Sequence, residues 1–381
     1  MEQPTKIAKP FLEYDALVSL LTQRGMVIRD PLRAQRKLTQ VGYYRLSGYW
    51  HTSQKYKFLA PKKIQIFSEF QDNTTFESVF NFYLFDKSLR LELTCALERI
   101  EVYLRTIIAH ELGRIDPMAH KDKKNFSKFS TNPAHSGKDG RSDFELWHKK
   151  HEELLNSSRE ESILSHLKHD KAIPLWVASE AWSFGTLSKL YSMLNGANQQ
   201  RICDRIGLDN RATLDNWLIN FTGIRNRCAH HSRLCNRPNI RTLIIPKNGY
   251  FNLLNLTETD KNKFYGFICV VWFLVRKIGP SSNWINRIAD IIDNKPRVTG
   301  FNFKSMGFSD DGFPRKLFPQ TIAAAKPAAT IDELYKAATS SITTTLSEIK
   351  KLPIQQNHEE KSKQYIEQLM SFAAELEDLL P

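Results

Sequence analysis

Apolar side chains recur three and four residues apart through most of the chain, and strand-like alternation is scarce. That periodicity predicts a mainly α-helical fold. A first helix, FLEYDALVSLLTQRG, ends at Gly25; a second, DPLRAQRKLTQVG, takes Asp30 as N-cap, Pro31 at its first position and Gly42 after its end. The two turn back on each other as a helical hairpin. GYYRLSGYW follows, and KKIQIFSEF is the one stretch that reads as a strand. The longest helix runs from about Phe76 to Leu112. Leu93, Leu97, Ile100, Leu104 and Ile107 mark its core face; Glu98, Arg99, Glu101 and Arg105 mark a polar one, with Glu101 and Arg105 spaced for an i, i+4 ion pair.

Residues 115–143, with their Pro, Gly, Ser and Lys, read as a basic loop. Helical periodicity returns at 144–168 and 174–194, and two shorter helices follow at roughly 197–206 and 209–221. Beyond them come a short extended piece, RTLIIP, an apolar helix over 260–278 and a short helix over 284–292. The last 50 residues read as two helices, the second with Tyr365, Leu369, Phe372, Leu376 and Leu379 at heptad-like spacing. The expected organisation is an N-terminal hairpin segment (1–60), a helical domain (61–320) and an acidic helical extension (321–381).

Composition adds exclusions. With 41% hydrophobic and 25% charged residues, the 381-residue chain has the balance of an ordinary globular protein. Its longest apolar run, FYGFICVVWFLV at 264–275, falls short of the roughly 20 residues of a membrane span and reads as a buried helix. The opening MEQPTKIAKP lacks a signal-peptide core, and the five cysteines are odd in number and scattered, so a cytoplasmic protein without structural disulfides is expected. Charge is uneven: residues 321–381 hold 6 Lys against 9 acidic groups, which leaves residues 1–320 at +16 of the net +13. A surplus of that size attracts polyanions, and nucleic acid is the leading candidate; a basic surface kept for solubility is the plainer reading.

Candidate chemistry concentrates in FTGIRNRCAHHSRLCNRPN, residues 221–239. Arg225 and His230 form an Arg-x4-His pattern, with Asn226 beside the arginine, His231 next to His230, and Arg227, Arg233 and Arg237 nearby. Spacing alone decides nothing, since Arg105 and His110 repeat it. Three readings fit. An imidazole ordinarily titrates near 6.5, so it can take a proton from a ribose 2′-hydroxyl or give one to a leaving 5′-oxygen, while a guanidinium holds the phosphate; no metal or other cofactor is needed. A metal site would draw on Cys228, His230 or His231, and Cys235, but Cys-x-x-Cys and His-x3-His spacings are missing. The third reading is a solvated cap at a helix start. Five residues are about 140° apart on a straight helix, so Arg225 and His230 do not share a face, and a local site calls for completion from elsewhere, most simply a second subunit. Tyr43, Tyr44, Tyr49 and Trp50 are candidates for base stacking beside Arg45 or for core packing. Glu98, Glu101 and Arg105 either line the site or form a surface ion pair.

Several blocks together resemble the Abi-like family of phage abortive-infection proteins, the AbiD and AbiF group: KPFLEYDALVSLLTQRGMVI, KLTQVGYYRLSGYW, FDKSLRLELTCALERIEVYLR, PLWVASEAWSFGTLSKLY and IRNRCAHHSRLCNR, in that order. The resemblance covers about residues 6–320. That family is similar to the HEPN superfamily of helical-bundle ribonucleases, which also supplies the nuclease domains of type VI CRISPR effectors. The resemblance implies a HEPN-like bundle cleaving RNA without metal at a site shared by two copies of the motif, hence a homodimer. It places Arg225 as phosphate clamp, Asn226 as orienting donor and His230 as proton-transfer residue. Beside that motif, Arg227, Arg233 and Arg237 are expected as RNA contacts by their charge, His231 as an RNA contact or a packing residue, and Glu98, Glu101, Arg105 and Tyr44 as site support or as ion pair and packing. The resemblance further implies a toxin restrained by a small noncoding RNA antitoxin. The alternative is a non-catalytic RNA-binding regulator.

Overall fold

Local punctuation builds the N-terminal hairpin. Helix α1 (Tyr14–Gln23) stops before Gly25, whose φ of +89° suits a residue without Cβ. Helix α2 (Pro31–Val41) starts where the Asp30 carboxylate accepts the Arg33 N–H at 2.8 Å. The computed structural model describes residues 8–60, 63–135 and 140–318, all inside the compact unit formed by residues 1–319. The two helices expected in 321–381 lie outside the described residues.

GYYRLSGYW, to which the pattern assigns no element, is helix α3 (Tyr43–Trp50), with Leu46, Tyr49 and Trp50 buried. The expected strand is β2 (Lys63–Phe70), and it pairs antiparallel with β1 (Gln54–Ala60), setting Tyr56 opposite Ile66 and Phe58 opposite Ile64. Nearly every residue of this hairpin is exposed. The spine of the fold is α4 (Phe76–Gly113), N-capped by Thr75, 38 residues and so about 57 Å long. Its Leu93, Leu97, Ile100 and Leu104 are fully buried, as the periodicity predicts. The polar face is not wholly solvated, because Glu101 is only 8% exposed.

Residues 115–135 form a connection with short helical turns at Lys123–Asn125, Lys128–Thr131 and Pro133–His135, pinned to its neighbours: the Ser127 N–H donates to the Met193 carbonyl at 2.9 Å, and the Asn198 side chain donates to the Asn125 carbonyl at 3.0 Å. The 144–168 stretch divides into α5 (Asp143–Ser157) and α6 (Glu161–Lys168) at an extended Ser158. The 174–194 stretch divides likewise. Two short turns precede an extended Trp182, and the Ser183 hydroxyl then caps α7 (Phe184–Met193). Helix α8 (Gly196–Ile206) leads into α9 (Arg211–Ala229), which runs well past the end expected near residue 221. Inside this extension Gly223 serves packing: a Cβ there would stand 2.2 Å from Cγ1 of Ile240. Helices α10 (Phe264–Ile278) and α11 (Trp284–Asp293) pack with α9 against α4.

Candidate functional site

The Arg-x4-His segment closes α9 rather than starting a helix. The His231 N–H donates to the Cys228 carbonyl at 3.0 Å and the Ser232 N–H to the Arg227 carbonyl at 2.8 Å, with His231 left-handed at φ +56°. This is a Schellman termination with histidine where glycine is usual. His230 is the capping residue; its N–H still bonds the Asn226 carbonyl at 2.9 Å, and its side chain is exposed.

Past the helix end, the chain is fastened to α4 by a carboxylate. Asp86 is fully buried; its Oδ1 accepts the backbone N–H groups of Leu234 (2.9 Å) and Cys235 (2.8 Å), and its Oδ2 accepts the Tyr49 hydroxyl (2.9 Å) and Arg90. Every lone pair of a desolvated anion is thereby used, as burial demands. Burial and the neighbouring Asp86 charge push the Tyr49 phenol well above its ordinary range, so it stays a donor. Arg233 donates to the Gly48 carbonyl and Arg45 to the His231 carbonyl at 2.9 Å, so α3 clasps both sides of the turn. On the other flank, Asn220 and Asn216 accept backbone N–H groups from Ile240, Arg241 and Ile244 at 3.0–3.1 Å. Those amides hold RTLIIP as an extended strap along α9.

Arg225, 41% exposed, forms an ion pair with Glu101 of α4 at 3.7 Å. Glu101 is shared with Arg105 (3.1 Å), which also reaches Glu180 (3.3 Å) and the Trp182 carbonyl (3.0 Å). Burial pushes the Glu101 carboxyl upward while Arg225 and Arg105 pull it back. The predicted Glu101–Arg105 pair is therefore present, but at a helix interface facing Arg225. Asn226 and His230 are exposed, and the His230 ring has no hydrogen-bond or ion-pair partner among the described residues. Arg227 donates to the Pro238 carbonyl at 2.8 Å, and Arg237 is exposed beside it. Glu98 is exposed one turn before Glu101, and Tyr44 is 74% exposed, whereas Tyr49 and Trp50 belong to the core.

Cys228 and Cys235 turn inward, away from the exposed histidines, and burial pushes the Cys228 thiol up to about 12. A thiol so placed is a poor metal ligand at neutral pH. Among the described residues, no three His, Cys, Asp or Glu side chains are arranged to hold a metal, and no helix is long and apolar enough to cross a membrane. Sequence reasoning missed Asp86 and Arg90. Their signal is a charged pair set into the apolar stripe of α4, between Phe82 and Leu93.

No curated protein and no solved structure shows a significant match. A family model described as Abi-like protein matches residues 36–236, more than half of the chain. The match starts in α2 and takes in GYYRLSGYW, the α4 spine with Asp86 and Glu101, and the whole RNRCAH turn. Because the match covers more than half of the chain, including the elements that build this turn, the chain belongs to the Abi-like protein family.

Proposed function

We propose that this chain is a HEPN-type, metal-independent endoribonuclease whose centre is formed by Arg225, Asn226 and His230. Membership in the Abi-like family suggests a part in phage abortive infection, and the ribonuclease reading gives that part a chemistry. One observation carries it: Arg225, held from behind by the buried carboxylate of Glu101, lies on the same helix end as an exposed and unpartnered His230. In the proposed reaction, one imidazole removes the proton of a ribose 2′-hydroxyl. The 2′-oxygen then attacks the adjacent phosphorus, and the 5′-oxygen leaves with a proton, giving a 2′,3′-cyclic phosphate and a 5′-hydroxyl. Arg225 binds the phosphate and stabilises its added charge in the transition state, with Asn226 as a further donor.

Arg225 and His230 fall on different sides of α9, and acid and base roles call for two imidazoles. A homodimer pairing two copies of the turn supplies both. A toxin of this kind requires restraint, and the +16 of residues 1–320 suits a noncoding RNA antitoxin. The test is incubation of end-labelled RNA in EDTA with wild type and with His230→Ala. Cyclic-phosphate products formed by wild type and reduced at least about 100-fold in the variant support the nuclease. RNA that stays intact in wild type yet shifts on a gel favours the non-catalytic regulator instead, a reading consistent with the matching of the Arg225 charge by Glu101.

A further inference from the structure

Where α2, α3, the middle of α4 and the end of α9 meet, they enclose a cleft of about 500 Å³. Ala229 and His231, the residues on either side of His230, form one wall; Arg45 of α3 and Lys87, Arg90 and Thr94 of α4 face it. No carboxylate lines this cleft. Three other clefts of 440–550 Å³ each carry one, namely Glu180, Glu258 and Asp290. Asp86, the acid paired with the lining Arg90, is wholly buried and already engaged by Arg90, Tyr49 and two backbone N–H groups, so it leaves the outer cations uncancelled.

We propose that this cleft carries the phosphodiester backbone of single-stranded RNA past His230, with Lys87 and Arg45 as its phosphate contacts. The proposal deepens the ribonuclease reading and rests on it for the identity of the ligand. Lys87 is exposed and has neither hydrogen-bond nor ion-pair partner among the described residues, as expected of a cation awaiting an anion. Arg45 uses one N–H on the His231 carbonyl, which ties the cleft wall to the turn bearing His230 and leaves the rest of its guanidinium open. Leu91, 59% exposed and one turn after Lys87, offers an apolar surface to a sugar or base, and Tyr44, next to Arg45, offers a ring. Phosphate contacts of this kind position a strand without reading its sequence.

The experiment measures binding of labelled single-stranded RNA to the full chain carrying His230→Ala, across a salt series, with and without Lys87→Gln. Loss of one phosphate contact should lower the slope of log affinity against log salt by about 0.7, while Lys149→Gln, on α5 and outside the cleft, leaves it unchanged. Circular dichroism should be the same for all variants, because Lys87 supports no contact. An unchanged slope in Lys87→Gln, or no salt-dependent RNA binding at all, overturns the proposal. If wild type fails to cleave RNA and Lys87→Gln still lowers the slope, the nuclease reading falls and the cleft stands as an RNA groove.

Discussion

His120 is fully buried, and neither of its ring nitrogens has a hydrogen-bond partner. It packs edge-on against His151, 5.0 Å between centroids, whose Nδ1 accepts the Trp182 indole N–H at 2.9 Å. Burial is the main cause holding His120 down at about 3 and His151 at about 4; His148 and Lys121 add to it for both, and only Glu152 pulls His151 upward. Both folded values lie below the ordinary 6.5, so in that range the unfolded chain binds more protons and stability rises with pH. The contribution is complete above about pH 6.5 and is lost as pH falls, through about 4 for His151 and about 3 for His120. Urea midpoints measured from pH 7 to pH 4.5 should therefore fall, and His120→Phe should flatten the decline. An equal decline in the variant would assign it to other groups. His120 does not stand out in the sequence, because burial of a loop residue leaves no periodic trace, whereas His151 is a buried position of α5.

At the scale of elements, the end of α9 is the informative case. Its residue types identify it in sequence as a candidate site, but its conformation is not legible there. The end expected near residue 221 is not there, and the approach of Ile240 shows that Gly223 is a packing residue inside a longer helix. His231 occupies a left-handed position that costs an L-residue roughly 1–2 kcal/mol, part of which glycine would give back as greater freedom when unfolded. His231→Gly should thus raise stability by up to about 1 kcal/mol, seen as a higher urea midpoint at unchanged slope. A lower midpoint would show that the imidazole makes a contact the fold needs. Where signals are local, the pattern reads true: Asp30, Pro31 and Gly42 bound α2 as expected. The strand expected at KKIQIFSEF is present, but the pattern does not predict its partner β1, because a strand of a two-stranded exposed hairpin buries no face that would mark it.

Across the whole molecule, Asp86 joins segments far apart in sequence: Tyr49 of the N-terminal segment, Arg90 of the spine, and the chain at 234–235 beyond the candidate centre. Removing it strands a buried guanidinium and two backbone donors. Asp86→Ala should cost about 3–5 kcal/mol, and Tyr49→Phe, which deletes the hydroxyl's bond to Asp86 and the one it accepts from Arg90, about 1–3 kcal/mol, both read by urea unfolding. A small effect of Asp86→Ala would mean that Arg90 reaches water and the turn is held by other contacts.

Helical class, the limits of the long spine, the basic surplus and the RNRCAH cluster follow from sequence alone, because periodicity, composition and residue type are local properties. The partnership of Glu101 with Arg225, the inward turn of Cys228 and Cys235, the role of Asp86 and the acid-free cleft at Lys87 do not. Each depends on which faces of distant helices meet, and only the packing of α3 and α9 against α4 decides that.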